Sequence, residues 1–238
     1  MGPVKKMISI RSESGLNSQS FIMFTMKNIK NIIWDFDGTL FDTYPAITRS
    51  FQHGLSDLGH DMPLSLFYDM VRVSLDHTLE QLNALFQVDE AALKERFYAH
   101  YTAVAPEAQP PFDGAREVCE LIKEQGGKNF LVTHRRKASA VKLLEHYSMV
   151  DLFCDYIFKD DGYTRKPDPE MFDLLIKKHK LVRSETMAIG DRDLDIGAGK
   201  AAGVRTCLYV KIEEALKGSH ETICDYRLLI REIEEEVR

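Results

Sequence analysis

The run Ile32-Ile33-Trp34-Asp35-Phe36-Asp37-Gly38-Thr39-Leu40 constrains this chain more than any other stretch. Three apolar residues followed by aspartates on alternate positions read as a buried strand that delivers carboxylates to its carboxyl edge. In an open α/β sheet the crevice beyond that edge is where ligands bind, and Gly38 lets the backbone turn tightly and approach a bound group. Side chains at i and i+2 of a regular strand share a face, but a turn beginning at Asp35 can send Asp35 and Asp37 to different tasks. One can attack while the other moves protons. An Asp-x-Asp-Gly run also heads calcium loops, which need a glutamate at the twelfth loop position; this chain has Ala46 there.

The remainder alternates in a way that builds a sheet around this strand. From Pro45 to about Ala103, Ile47, Phe51, Leu55 and Leu58, then Leu79, Leu82 and Leu85-Phe86, recur at helical spacing, and stop and start signals at Gly59, Pro63 and Asp89-Glu90 divide the segment into at least three short helices. Pro106, Pro110 and Pro111 stiffen the return, so Tyr44-Pro45 and this proline stretch are the expected hinges of a mobile cap. Beyond Gly114, helices over 115–125, 137–146 and 171–179 alternate with strands at 129–132, 156–158, 187–189 and 205–210. Such alternation implies parallel strands with right-handed crossovers. The expected fold is α/β, a Rossmann-like parallel sheet with a small all-helical cap inserted after the first strand. Its parts are a loosely ordered leader over 1–26, a core of 27–43 and 112–238, and a cap of 44–111. The tail 226–238 reads as a surface helix whose charge run is a solvated face.

Composition limits the partners. A chain of 238 residues with 44% hydrophobic content buries a good core, and a net charge of -6 argues against nucleic acid or an anionic membrane as the main partner. The four cysteines, Cys119, Cys154, Cys207 and Cys224, lie far apart without a Cys-x-x-Cys, so neither a disulfide framework nor a zinc site is indicated. A cytoplasmic protein, monomeric or homodimeric, is the simplest expectation.

Three buried strands end in Asp35, Thr133 and Asp191, which the topology brings to one edge. Asp35-x-Asp37-Gly38-Thr39-Leu40 followed by Asp42-Thr43, the strand Phe130-Leu131-Val132-Thr133, the run Lys166-Pro167-Asp168-Pro169-Glu170, and Gly190-Asp191 with Asp195 ahead of a small-residue helix occur in that order. Together they resemble the four signatures of the haloacid dehalogenase-like phosphohydrolases, and the resemblance covers about Lys30 to Val210. It implies Asp35 as a nucleophile that forms an aspartyl-phosphate and Asp37 as the general acid and base. Gly38, Thr39, Thr133, His134 and Lys166 are then expected to bind phosphate, and Asp35, Asp37, Asp191 and Asp195 to hold the metal.

Elementary electrostatics agrees with those roles. Two unit charges about 4 Å apart repel by roughly 4 kcal/mol at a protein-like dielectric, so crowded aspartates need a cation among them. Mg2+ suits oxygen ligands and bridges carboxylates to a phosphoryl group. The expected activity is therefore a magnesium-dependent phosphomonoesterase acting on a small phosphorylated metabolite. A phosphomutase of the β-phosphoglucomutase type shares these signatures and stays open. A phospho-acceptor receiver module is disfavoured by Asp37 and the helical insertion, since a switch gains nothing from a dephosphorylating acid or a lid.

Departures from the family pattern leave the substrate unassigned. His134-Arg135 follows Thr133 where relatives often have Asn-Lys, and Arg192 stands where a small hydroxyl residue is common. Arg72, Ser74 and His77 replace a Gly-x-Pro specificity loop, and His77 reads best as a half-packed surface residue. Trp34 and Phe36 read as core.

Overall fold

A computed structural model describes residues 26–209 and 226–237, together with the short strands Met7–Ile8, Phe21–Ile22 and Ile223–Cys224. Strands β1 (Met7–Ile8) and β2 (Phe21–Ile22) pair antiparallel as a separate ladder; the rest of the expected leader up to residue 25 lies outside the described residues. The main sheet contains β3 (Asn31–Trp34), β4 (Lys128–Val132), β5 (Phe153–Ile157), β6 (Thr186–Gly190), β7 (Arg205–Tyr209) and β8 (Ile223–Cys224), in the spatial order β5-β4-β3-β6-β7-β8. Every neighbouring pair is parallel. The chain runs outward from β3 to β4 and β5, then returns to the other side of β3 as β6 and β7. The reversal falls between β3 and β6, which makes the crevice beyond their carboxyl ends the switch point where such sheets bind ligands.

Burial on both faces explains the unbroken apolar runs of the strands. Ile32, Trp34 and Leu131 face one core with residues of α5 (Ala115–Glu124), α6 (Lys137–His146) and α9 (Tyr226–Val237). Ile33, Phe130 and Val132 face the other with residues of α7 (Glu170–His179) and α8 (Asp193–Ala201). Trp34 and Phe36 are fully buried, and the Trp34 indole donates to Asn129 Oδ1 at 3.0 Å, so its one polar atom is satisfied.

The insertion forms four helices, in keeping with the expected three or more: α1 (Tyr44–Ser56), α2 (Leu64–Val73), α3 (Leu75–Phe86) and α4 (Glu90–Thr102). Pro45 sits in the first turn of α1, where its missing N–H costs nothing. Ser74 caps α3 by accepting from the His77 N–H at 3.0 Å, and Asp89 caps α4 by accepting from Ala92 at 2.8 Å. These helices enclose their own core, with Phe51 stacked on Phe97 at 4.2 Å. The two connections to the sheet run side by side: the Asp42 N–H donates to Pro110 O at 2.8 Å and the Phe112 N–H to Leu40 O at 3.0 Å.

Two elements differ from expectation. Strand β5 begins three residues earlier than 156, because Cys154 and Asp155 lie on a partly exposed outer strand and break the apolar pattern that reveals the inner ones. The tail helix is not simply a solvated face, since Tyr226, Leu229 and Ile233 recur at three and four and are buried. Val210, expected to end β7, lies outside the described residues. No helix among the described residues is long and apolar enough to cross a membrane.

Candidate active site

Register brings the acids together. Trp34 lies opposite Ile189 in the parallel pairing of β3 with β6, and the Asp35 N–H extends that ladder by donating to Ile189 O at 2.9 Å. Asp35 and Asp191 therefore leave the sheet as neighbours. Asp195, in the first turn of α8, folds back beside them, and its Oδ2 accepts the Arg192 N–H at 3.1 Å. Two glycines make room for this crowding. Gly38 adopts φ +76°, and a Cβ there would strike the Tyr44 ring and come within 2.5 Å of Asp191 Oδ2; a Cβ on Gly190 would overlap Asp195. One carboxylate oxygen from each of Asp35, Asp191 and Asp195 then lies within 4.8 Å of the others, and all three residues are buried.

Lys166 supplies the nearest positive charge. Its Nζ is 2.5 Å from Asp35 Oδ1 and 2.6 Å from Asp195 Oδ1, and it donates to Val132 O at 3.0 Å, so the ammonium is fixed at the end of β4. One ammonium is too little for three carboxylates. Burial drives the Asp35 carboxyl up to about 7 although Lys166 pulls it down, and burial drives Asp191 up to about 6 against the pull of Arg192. For Lys166 burial acts downward, but the charges of Asp195 and Asp35 outweigh it and hold the ammonium above its usual range. Asp35 Oδ2 is buried and makes no hydrogen bond. Hard oxygen donors and an excess of negative charge over Lys166 fit a divalent cation of the Mg2+ class.

The other sequence-designated residues fall into distinct places. Asp37 does not join the acidic group: its Oδ1 accepts from Arg135 Nη1 at 2.6 Å, so its carboxylate is not among the oxygens gathered for a cation, contrary to expectation. Thr133 is buried at the end of β4; its Oγ1 accepts the Arg135 N–H at 3.0 Å, which leaves its own O–H to donate. Gly38 and Thr39 are committed elsewhere. The Gly38 N–H donates to Phe41 O at 2.9 Å, the Thr39 N–H to Phe36 O at 3.4 Å, and the Thr39 hydroxyl to Asp191 Oδ1 at 3.3 Å. They shape the loop and steady Asp191, and the N–H groups of this loop for which no backbone acceptor is found among the described residues are those of Phe36, Asp37 and Leu40.

His134, expected to bind phosphate, lines the cavity but carries no charge toward it. Its Nε2 accepts the Lys166 N–H at 3.0 Å, and burial together with the charge of Lys166 pushes the imidazole down to about 2. The neutral ring supports the Lys166 backbone through that hydrogen bond.

Several side chains not assigned from sequence complete the site. Tyr44, the first residue of α1, donates its hydroxyl to Asp191 Oδ2 at 2.8 Å. Arg135 is buried, stacks over Phe36 at 5.1 Å and Tyr101 at 5.3 Å, and donates to Gln109 Oε1 at 3.1 Å, an oxygen that also accepts from Tyr101. Tyr226, from the tail helix, donates to Thr39 O at 2.6 Å and supports the Asp35–Leu40 loop from behind. A cavity of about 460 Å³ opens between the cap and the sheet edge. Asp37, Arg135 and Arg192 line its floor side, and Tyr44, Phe51 and Phe97 its cap side. Ser74 reaches this cavity, whereas Arg72 and His77 are not among its lining residues.

Comparison with known proteins places this arrangement in a family. The profile of the haloacid dehalogenase-like hydrolases matches residues 32–209. The chain is 27% identical over 187 residues to a phosphoglycolate phosphatase of Aliivibrio fischeri, covering 74% of this chain and 82% of the relative. It is 26% identical over 190 residues to the pyrophosphatase PpaX of Halalkalibacterium halodurans, covering 76% and 83%. A crystal structure of a hydrolase from Streptococcus pneumoniae TIGR4 superposes with a TM-score of 0.59 at 30% identity, over 79% of this chain and 96% of that one. The matched span runs from β3 to the end of β7 and contains the acidic group, Thr133 and Lys166, so the chain belongs to the haloacid dehalogenase-like hydrolases.

Proposed function

We propose that this protein is a magnesium-dependent phosphomonoesterase that acts on a small phosphorylated metabolite through an aspartyl-phosphate on Asp35. The observation that carries the reading is the division of labour among the carboxylates. Asp35 stands with Asp191, Asp195 and Lys166 and keeps one oxygen without a partner, while Asp37 is held apart, on the cavity side, by Arg135.

In this reading Asp35, Asp191 and Asp195 hold the cation, which when bound offsets the charge that separates carboxylates from a phosphoryl group. The free oxygen of Asp35 attacks phosphorus, and the bond from phosphorus to the ester oxygen breaks. Asp37 gives its proton to that departing oxygen, then removes one from the water that attacks the aspartyl-phosphate, so phosphate leaves and Asp35 is regenerated. Lys166 and the Thr133 hydroxyl steady the phosphoryl oxygens, which is most of what phosphoryl transfer asks of a protein. The activities named for the relatives make phosphoglycolate and pyrophosphate the first substrates to try.

The test is hydrolysis of p-nitrophenyl phosphate with Mg2+, with release of inorganic phosphate followed. The wild-type protein turns over and Asp35→Asn loses on the order of 10³-fold or more. Appreciable turnover by Asp35→Asn overturns the reading.

A further inference from the structure

Arg192 follows Asp191 directly, in the place where the family signature commonly has a small hydroxyl residue. Its Nε lies 3.9 Å from Asp191 Oδ1 and 3.8 Å from Asp195 Oδ2, both longer than the charge-assisted hydrogen bonds a structural ion pair makes. That Nε is buried and has no hydrogen-bond partner, and the Arg192 side chain, only 16% exposed, lines the cavity under the cap. The backbone of the residue is nevertheless fixed, since its N–H holds Asp195 Oδ2. The result is a permanent cation, anchored at its root, with unused donors, between the acidic group and the space a ligand would fill.

Charge counting gives this placement a consequence. Asp35, Asp191 and Asp195 set against Lys166 leave two negative charges, the complement of one divalent ion; a guanidinium among them leaves one. A fixed cation repels a divalent metal and attracts a phosphoryl anion, and the planar fork of arginine can donate to two phosphoryl oxygens at once. Resting on the phosphatase reading, we propose that Arg192 is a built-in phosphoryl-binding residue that strengthens the hold on the anion and weakens the hold on Mg2+.

Calorimetric titration of the full-length protein reads both effects without turnover. Mg2+ is titrated first, then inorganic phosphate at saturating Mg2+, into wild type, Arg192→Ser and Arg192→Lys. Arg192→Ser binds Mg2+ about five-fold more tightly and phosphate about ten-fold more weakly; Arg192→Lys, which keeps the charge but not the fork, returns Mg2+ affinity to near the wild-type value and recovers only part of the phosphate affinity. The opposite signs matter, because a merely structural arginine would weaken both ligands together when removed. Unchanged affinities, or a joint loss, overturn the role of Arg192. A wild-type protein that binds neither Mg2+ nor phosphate refutes the phosphatase reading itself, which p-nitrophenyl phosphate hydrolysis reports separately.

Discussion

Arg165 and Lys166 are neighbours in the chain and opposites in the fold. The Lys166 side chain is fully inaccessible and sits between two buried carboxylates, whereas Arg165 is 48% exposed and reaches across to Asp76 on α3, itself 53% exposed, at 3.2 Å. One pair works in a low-dielectric pit at the sheet edge, the other in water at the seam with the cap. Removing one partner of a buried pair leaves an uncompensated charge and costs about 3–5 kcal/mol, while an exposed pair is worth about 0–1 kcal/mol. The same contrast runs through the two regions as wholes. The sheet edge is locked by charge and hydrogen bonds, and the cap rests on apolar packing, with Leu66, Val73 and Leu85 left more than half exposed on α2 and α3. The contrast is between a floor held by buried charge and a roof held by apolar packing.

The largest effect expected from this contrast is on stability. Lys166→Met, measured by denaturant unfolding at pH 8 in the presence of a chelator, loses about 3–5 kcal/mol, against less than about 1 kcal/mol for Arg165→Ala. Equal losses would erase the distinction between the two regions. At pH 5 the Lys166→Met loss shrinks, because burial already holds the Asp35 carboxyl up at about 7 and a proton then replaces the missing ammonium.

Proton linkage sharpens the point in the wild-type protein. Asp35 and Asp191 are raised in the fold to about 7 and about 6 from an ordinary 3.8, so protons favour the folded state. Their contribution is complete below about pH 4 and is lost as pH rises through 6 and 7. Mg2+ competes with those protons. The Tm increase on adding Mg2+ to chelated protein is therefore larger at pH 8 than at pH 5, and Arg165→Ala leaves that difference unchanged. An increase independent of pH would mean that the cation does not sit among these carboxylates.

The two regions also differ in how far the sequence discloses them. Asp35, Asp191 and Asp195 are tied to strand ends and a helix start by fixed local spacing, so their meeting follows once the strands are parallel and in register. Partnerships chosen by tertiary packing carry no such signal. Asp37 meets Arg135 across 98 positions, Tyr44 meets Asp191 across 147, and Tyr226 meets Thr39 across 187. Gly38 and Thr39 invited assignment to a ligand, but their N–H groups go to carbonyls of the loop itself, while those of Phe36, Asp37 and Leu40 do not, a split that only the folded turn decides. In the cap, apolar spacing reveals the helices but not which faces leave a cavity, and the buried stripe of α9 was masked by its charges.

The smallest effect belongs to the seam. Arg136, Lys142 and Lys159 line the cavity and make no ion pair among the described residues, and Arg136 lies over the Tyr98 ring at 5.2 Å. Burial, then the charges of Arg165 and Arg136, hold the Lys159 ammonium below its usual range, so an arriving anion would relieve an existing repulsion. On the phosphatase reading, these residues would attract a leaving group that carries its own negative charge more than a neutral one. The double substitution Arg136→Ala, Lys159→Ala should raise KM for phosphoglycolate about 3- to 5-fold at low salt, with the difference fading as salt screens partly exposed charges. Its KM for p-nitrophenyl phosphate and the kcat for both substrates stay within about two-fold, because the phosphoryl group is handled by the buried residues below. A fall in kcat for both esters would show that the seam acts on the chemistry itself, and the separation between apolar roof and charged floor would fail.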